Sequence, residues 1–349
     1  WGGGTCQSSE GCGWEEGLRR VRDGEADFSS VAPKHGSVVK VDEFEASELS
    51  FQHFYEEYLM KGKPVVIRNL KERVSGSLAL NTTISEMCGK STVVPVIYDP
   101  TSGKSSFKLA STDAMTLDQF VAERDAGLAQ GRMVFDWSLP ENCPRILDDF
   151  VVPSYFAQDY LQNTSDVAVD PRTGVARPTL FTDAWPSLFV GPGMSGGGLH
   201  IDAFATNFWM VVLEGQKLWQ FFDPDQIPYL YPHPQTRTLQ VDTVRPDYDA
   251  YPLYAFASSY MCVVGPSDGL FVPSGSPHQV TNLSPSVAIS MNYIDSSNLD
   301  RSIHELALGD DAQRALSDEL AAFRDSLPPP DGSVPSRGDA SWQSFSKAG

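Results

Sequence analysis

The chain has 349 residues, 41% apolar and 11% aromatic, enough to bury a sizeable core in one large domain with appendages or in two smaller ones. A formal charge of −19 with no basic run argues against nucleic acid as a partner, because phosphate binding depends on clustered Lys and Arg. Gly, Pro or a charge breaks every strongly apolar window within about a dozen residues, so no membrane-spanning helix is expected.

The first residue is Trp1 rather than Met, which is what removal of a preceding segment would leave. Residues 1–37 are Gly-rich and charged, with one short helix around Trp14 to Arg22, and read as an N-terminal arm rather than a core element. From Val38 the texture becomes that of a folded domain reaching to about residue 300. Phe51, Phe54, Tyr55, Tyr58 and Leu59 have helical spacing, and Lys61-Gly62-Lys63-Pro64 ends that helix before a strand at Val65-Val66-Ile67. Strands are expected at Val93 to Tyr98 and Arg132 to Trp137, separated by a helix over about Thr116 to Ala126.

Short β-branched and aromatic runs punctuated by Gly and Pro then follow: Thr179 to Phe181, Ser187 to Val190, Asn207 to Leu213, Lys217 to Phe222, Tyr260 to Val264, Gly269 to Val272 and Val287 to Tyr293. Such a series indicates a sandwich or barrel, so the fold is read as mainly β with flanking helices. The long Pro- and Tyr-rich insert Tyr229 to Tyr254 is expected to border the mouth of any site, with Tyr248, Tyr251 and Tyr254 near substrate. Residues 301–327 read as a C-terminal helical segment, and residues 328–349, beginning Pro328-Pro329-Pro330, as a flexible tail.

Five cysteines (Cys6, Cys12, Cys88, Cys143, Cys262) are too few and too scattered for a disulfide scaffold, and no pair has zinc-ribbon spacing. Cys6 and Cys12 can pair in an oxidising compartment, and unpaired thiols fit equally well. Acceptor sequons at Asn81, Asn163 and Asn282 leave the compartment open between the cell interior and the secretory lumen.

The most informative stretch is Gly196-Gly197-Gly198-Leu199-His200-Ile201-Asp202, followed much later by Pro273-Ser274-Gly275-Ser276-Pro277-His278. On a strand, positions i and i+2 share a side, so His200 and Asp202 can grip one ion, with His278 as third ligand. Two imidazoles and one carboxylate leave about three open positions on an octahedral ion, which suits non-haem iron(II) binding a chelating cosubstrate and dioxygen. His-x-Asp alone is a weak signal. Its order with Gly215-Gln216-Lys217-Leu218-Trp219 and a Gly-Leu-Phe-Val-Pro strand before His278 is specific.

The combined pattern resembles the Jumonji-C family of iron(II)- and 2-oxoglutarate-dependent oxygenases, over roughly Val38 to Asp295, with spacing similar to that of the phosphatidylserine-receptor-like hydroxylases. The resemblance implies a double-stranded β-helix (jelly-roll or cupin) core, with His200, Asp202 and His278 holding iron(II). It implies that Lys217 pairs with the distal carboxylate of 2-oxoglutarate and that Ser290, Asn292 and Asn207 line the cosubstrate pocket, with Asn282 close by. The pattern departs from the family where Gly197 replaces a common threonine, where Met210 replaces an asparagine that Asn207 lies close enough to substitute, and in lacking a clear counterpart of a first-half tyrosine. The implied reaction consumes dioxygen and 2-oxoglutarate, releases succinate and CO2, and hydroxylates a protein or peptide side chain. The acidic charge would favour a basic substrate segment. N-methyl demethylation, a non-catalytic binding module and a cupin without an oxoacid cosubstrate are the rival readings, and the terminal helices are a candidate homodimer contact.

Overall fold

The computed structural model describes residues 13–24, 28–74, 86–89, 92–98, 111–129, 131–164, 167–169, 176–178, 184–234, 238–328 and 338–345. Two β-sheets form its centre. The smaller runs in the order Val38–Lys40, Ser259–Val264, Lys217–Phe221, His278–Asn282, Gly196–His200. The larger runs Glu43–Glu45, Val65–Arg68, Gly269–Val272, Asn207–Glu214, Ser286–Tyr293, Ser187–Gly191, Arg132–Ser138, Val93–Tyr98, Ser111–Thr116. From Ser187 onward the chain weaves repeatedly between the two sheets, which is the double-stranded β-helix expected from the sequence.

Side chains alternate across a strand, so the run from Asn207 to Leu213 serves two cores at once. Phe208, Met210 and Val212 meet Trp219, Phe221, Val264 and Ala288 between the sheets. Trp209, Val211 and Leu213 face the other way, into a core built with Phe54, Phe150, Phe156 and Phe271. There Trp209 lies nearly parallel to Phe156, ring centroids 4.9 Å apart. Burial on both faces explains why this strand reads as a nearly continuous apolar run.

The first half supplies that outer core. Helix Phe51–Phe54 starts at Ser50, whose side chain accepts the His53 N–H, and continues as a π-turn over Tyr55–Leu59 that buries Tyr58 and Leu59. Helix Leu117–Asp125 is capped in the same way by Thr116. The strand expected over Thr179 to Phe181 lies outside the described residues.

Three expectations need correction. The supposed arm is part of the packed body: helix Gly13–Arg22 buries Leu18 and Val21, and Phe28 and Val31 follow, all clustered with Leu218, Met261 and Leu283. Leu218 and Met261 point out of the smaller sheet and need an apolar cover, which this segment provides. Residues 338–345 of the supposed flexible tail are anchored: Ala340–Ser341 pairs with Val151–Val152, Asp339 binds Arg73, and Phe345 is buried. Aromatic packing of Trp342 on Phe150, 6.2 Å between centroids, outweighs the polar composition there. The third correction is a disulfide between Cys88 and Cys143, which closes a loop of 55 residues. Cys262 is a buried thiol, while Cys6 and Cys12 lie outside the described residues.

Removing both Cys88 and Cys143 by substitution to Ser is expected to lower stability by about 3 kcal/mol, because the loop is then unconstrained in the unfolded chain. Urea unfolding of the variant against the wild type measures this, and an unchanged midpoint would contradict it.

The C-terminal segment forms two helices, Leu299–Ala307 and Asp311–Ser326, separated at Gly309 and restarted by a capping box between Asp310 and Gln313. They bury Leu306, Leu316 and Leu320 against Tyr160, Leu161 and Ile294. Among the described residues no helix is long and apolar enough to cross a membrane.

Candidate active site

His200 closes the strand Gly196–His200 and stands directly opposite His278, the first residue of the neighbouring strand. The approach is close because of glycine: a Cβ on Gly196 would sit 2.0 Å from the Val280 carbonyl oxygen. Gly275 serves the loop before His278 with a φ of +76°.

The two imidazole centroids are 4.2 Å apart. Asp202 Oδ1 lies 3.5 Å from His200 Nε2 and 3.9 Å from His278 Nε2. One ligand atom from each residue falls within 4.8 Å of the others, so the sequence triad does converge. Each ring is turned by its backbone: Nδ1 of His200 donates to Gly198 O at 2.7 Å, and Nδ1 of His278 donates to Ser276 O at 3.0 Å. That tautomer leaves the Nε2 lone pair of each ring free, with both nitrogens close to Asp202 Oδ1.

Burial, followed by the neighbouring His200, pushes the His278 pKa down to about 4, so this imidazole is neutral at physiological pH. Burial alone would raise the Asp202 carboxyl. The His200 hydrogen bond, the two imidazoles and the Asn292 amide together bring it below its ordinary value. Asn292 Nδ2 reaches Asp202 Oδ2 at 3.4 Å and Thr206 Oγ1 at 2.8 Å, so it orients the carboxylate.

Lys217 shares the inward face of its strand with Trp219 and Phe221 and is only 4% exposed. Its ammonium donates to Asn282 Oδ1 at 2.7 Å, and among the described residues it has no ion pair. Burial draws its pKa down to about 7. Asn282, itself 1% exposed, is held by Ser195 Oγ at 2.9 Å, which leaves no room for a glycan on this sequon. Asn163 has no described side chain and Asn81 lies outside the described residues.

Ser290 faces the same interior, opposite Met210, and is 1% exposed, its hydroxyl without a partner among the described residues. The indole nitrogen of Trp219 is likewise buried without a partner. Asn207 differs from expectation. It shares the outward parity of Trp209, and its amide is spent on Asp295, Ser297 and the Ser274 N–H, fixing the loop that leads to His278.

The Tyr-rich insert also departs from its expected place. Tyr254 is buried, with its hydroxyl accepting from Gln220, and Tyr248 packs on it at 6.0 Å. Leu199 and Ile201 cluster with Phe222, Leu230 and Leu239, so the insert buttresses the outer side of the His200 segment. Thr206, Ser195 and the Trp219 nitrogen escaped the sequence reading, since only the strand register reveals their neighbours.

A match to the Cupin-like domain family covers residues 51–298. The chain is 29% identical over 259 residues to the Lysine-specific demethylase JMJ21 of Arabidopsis thaliana, covering 72% of this chain and 25% of that protein. It is 30% identical over 202 residues to the 2-oxoglutarate and iron-dependent oxygenase JMJD4 of Mus musculus, covering 55% and 43%. It is 28% identical over 179 residues to the Bifunctional arginine demethylase and lysyl-hydroxylase psr-1 of Caenorhabditis elegans, covering 48% and 41%. The chain thus spans less than half the length of each of these relatives. With most of the double-stranded β-helix inside the matched region, the chain belongs to the Cupin-like domain family, in its Jumonji-C group.

Proposed function

We propose that this chain is an iron(II)- and 2-oxoglutarate-dependent dioxygenase that hydroxylates a protein or peptide side chain and releases succinate and CO2. The observation that carries the reading is the convergence of His200, Asp202 and His278, joined by a buried lysine on the strand paired with that of His278 that has no ion pair among the described residues. The donor set fits the metal, being two imidazoles and one carboxylate, a combination suited to iron(II). The pocket fits the cosubstrate as well. A buried ammonium calls for an anion, and the orphaned Ser290 hydroxyl and Trp219 N–H are polar groups that an oxygen-rich ligand can satisfy.

In this reading His200 Nε2, Asp202 Oδ1 and His278 Nε2 hold iron(II), and Lys217 takes the distal carboxylate of 2-oxoglutarate with Asn282 steadying its amine. When bound, the ion would bring 2-oxoglutarate and dioxygen together and relay electrons between them, the oxoacid giving two of the four electrons that dioxygen takes up and the substrate C–H bond the other two. The chain's own work is positioning. Gly198 and Ser276 carbonyls fix the imidazole tautomers, Asn292 fixes the carboxylate, and Phe208, Trp219 and Phe221 keep water from the reacting centre.

The names of the relatives favour a lysine or arginine residue in a protein as the group acted on. Purified protein with iron(II), 2-oxoglutarate and a proteome-derived peptide mixture is expected to form succinate, with product peptides gaining one oxygen. Products that instead lose a methyl group would make it a demethylase, and iron-independent or absent succinate formation would sink the proposal. The Cys88–Cys143 disulfide further favours an oxidising compartment as its place of work.

A further inference from the structure

Asp136 sits where the strand Arg132–Ser138 loses its regular pairing. Trp137 faces Leu188 and Val134 faces Val190, so Phe135 and Asp136 together oppose the single residue Phe189. Asp136 has a φ of 51°, a left-handed conformation that the surroundings must hold. Bulges of this kind re-aim a side chain, often beside a site.

Here the re-aimed carboxylate accepts the Ser187 hydroxyl at 2.6 Å and a hydrogen bond from the Trp185 side chain. Ser187 is buried directly opposite Ser290, on the face that lines the barrel interior. Asp136 also lies close enough to Asp202 for the two charges to repel. As a residue it is exposed, yet its carboxyl is crowded by these neighbours, and that burial raises its pKa. Both hydrogen-bond donors are neutral, and among the described residues no Lys, Arg or His pairs with it.

A carboxylate re-aimed by a bulge, hydrogen-bonded to a serine of the barrel interior and belonging to an exposed residue without a counter-cation among the described residues, is set to receive a cation from outside the chain. We propose that Asp136 selects the substrate of this site, its carboxylate binding the ammonium or guanidinium of a lysine or arginine side chain presented for oxidation. This rests on the dioxygenase reading above and adds to it the residue that discriminates.

The test uses fluorescein-labelled peptides identical except for a central Lys, Arg, Gln or Met. Binding is followed by anisotropy under nitrogen, with the protein loaded with iron(II) and 2-oxoglutarate. Wild type is expected to bind a cationic peptide about tenfold more tightly than the neutral ones, and Asp136→Asn to lose that preference. Asn tolerates left-handed backbone as Asp does, so this variant changes charge while keeping the bulge. Asp136→Glu, which retains the charge, is expected to keep part of the preference. Equal binding of all four peptides by wild type, or a cation preference that survives in Asp136→Asn, overturns the proposal. The visible band of the iron(II) chelate, recorded on the same samples, separates the two readings. Its absence from wild type refutes the metal and cosubstrate assignment and this inference with it, whereas a normal band without cation preference refutes the role of Asp136 alone.

Discussion

His278→Ala is expected to lose iron(II) binding at the site and to lower 2-oxoglutarate turnover by at least about a hundredfold, the upper range seen when even outer partners of a metal are lost. His278 is 2% exposed and its ring faces His200 at 4.2 Å, so no other described side chain can take its place. Its depressed pKa, about 4, keeps Nε2 unprotonated at neutral pH, and the hydrogen bond to Ser276 O fixes which nitrogen that is. Truncation leaves one imidazole and one carboxylate, a set that holds a divalent ion weakly and no longer defines a face. Anaerobic calorimetry with iron(II) checks this alongside a melting curve that confirms folding. Affinity within tenfold of wild type would contradict the ligand assignment.

Lys217→Met is the second large effect, and its two consequences have opposite signs. Removing one member of a buried charge pair costs about 3–5 kcal/mol, so 2-oxoglutarate affinity is expected to fall by about a hundredfold or more. In the ligand-free protein the same amine is a burden, because burial draws its pKa from 10.5 to about 7. Between those values the unfolded chain binds more protons than the folded one, so this group adds stability as pH rises from about 7 toward 10.5, and its burial penalty is complete below the lower limit. Wild type should therefore gain melting temperature relative to Lys217→Met across that window. Binding of 2-oxoglutarate should be accompanied by proton uptake at pH values above the folded pKa, since the anion restores the charged amine. Parallel melting profiles for the two proteins, or unaltered cosubstrate affinity, would remove Lys217 from the pocket.

Much of the fold could be read from residue pattern because sheet geometry is strict. The runs at Asn207, Lys217, Gly269 and Val287 are strands in the observed structure, and His200 with Asp202 turned out to share a target as alternation requires. Asn207 shows where that reasoning failed: its proximity in sequence to Met210 hid the opposite parity that sends its amide to Asp295 and Ser297. Parity along the strand, counted from Phe208 and Met210 in the interior, would have exposed the error. The Cys88–Cys143 pair joins segments with no local signature, and pairing of Ala340–Ser341 with Val151–Val152 depends on a meeting that composition does not encode. Asp136 was invisible for a related reason, since a bulge is a property of two strands in register.

The central claim is tested most directly by adding iron(II) and then 2-oxoglutarate to the protein without oxygen and recording its visible spectrum. A charge-transfer band that saturates at one equivalent of each in wild type, and is missing in His200→Ala, is the predicted result. A wild-type protein that binds neither ligand, or a band of equal strength in the variant, would contradict the account.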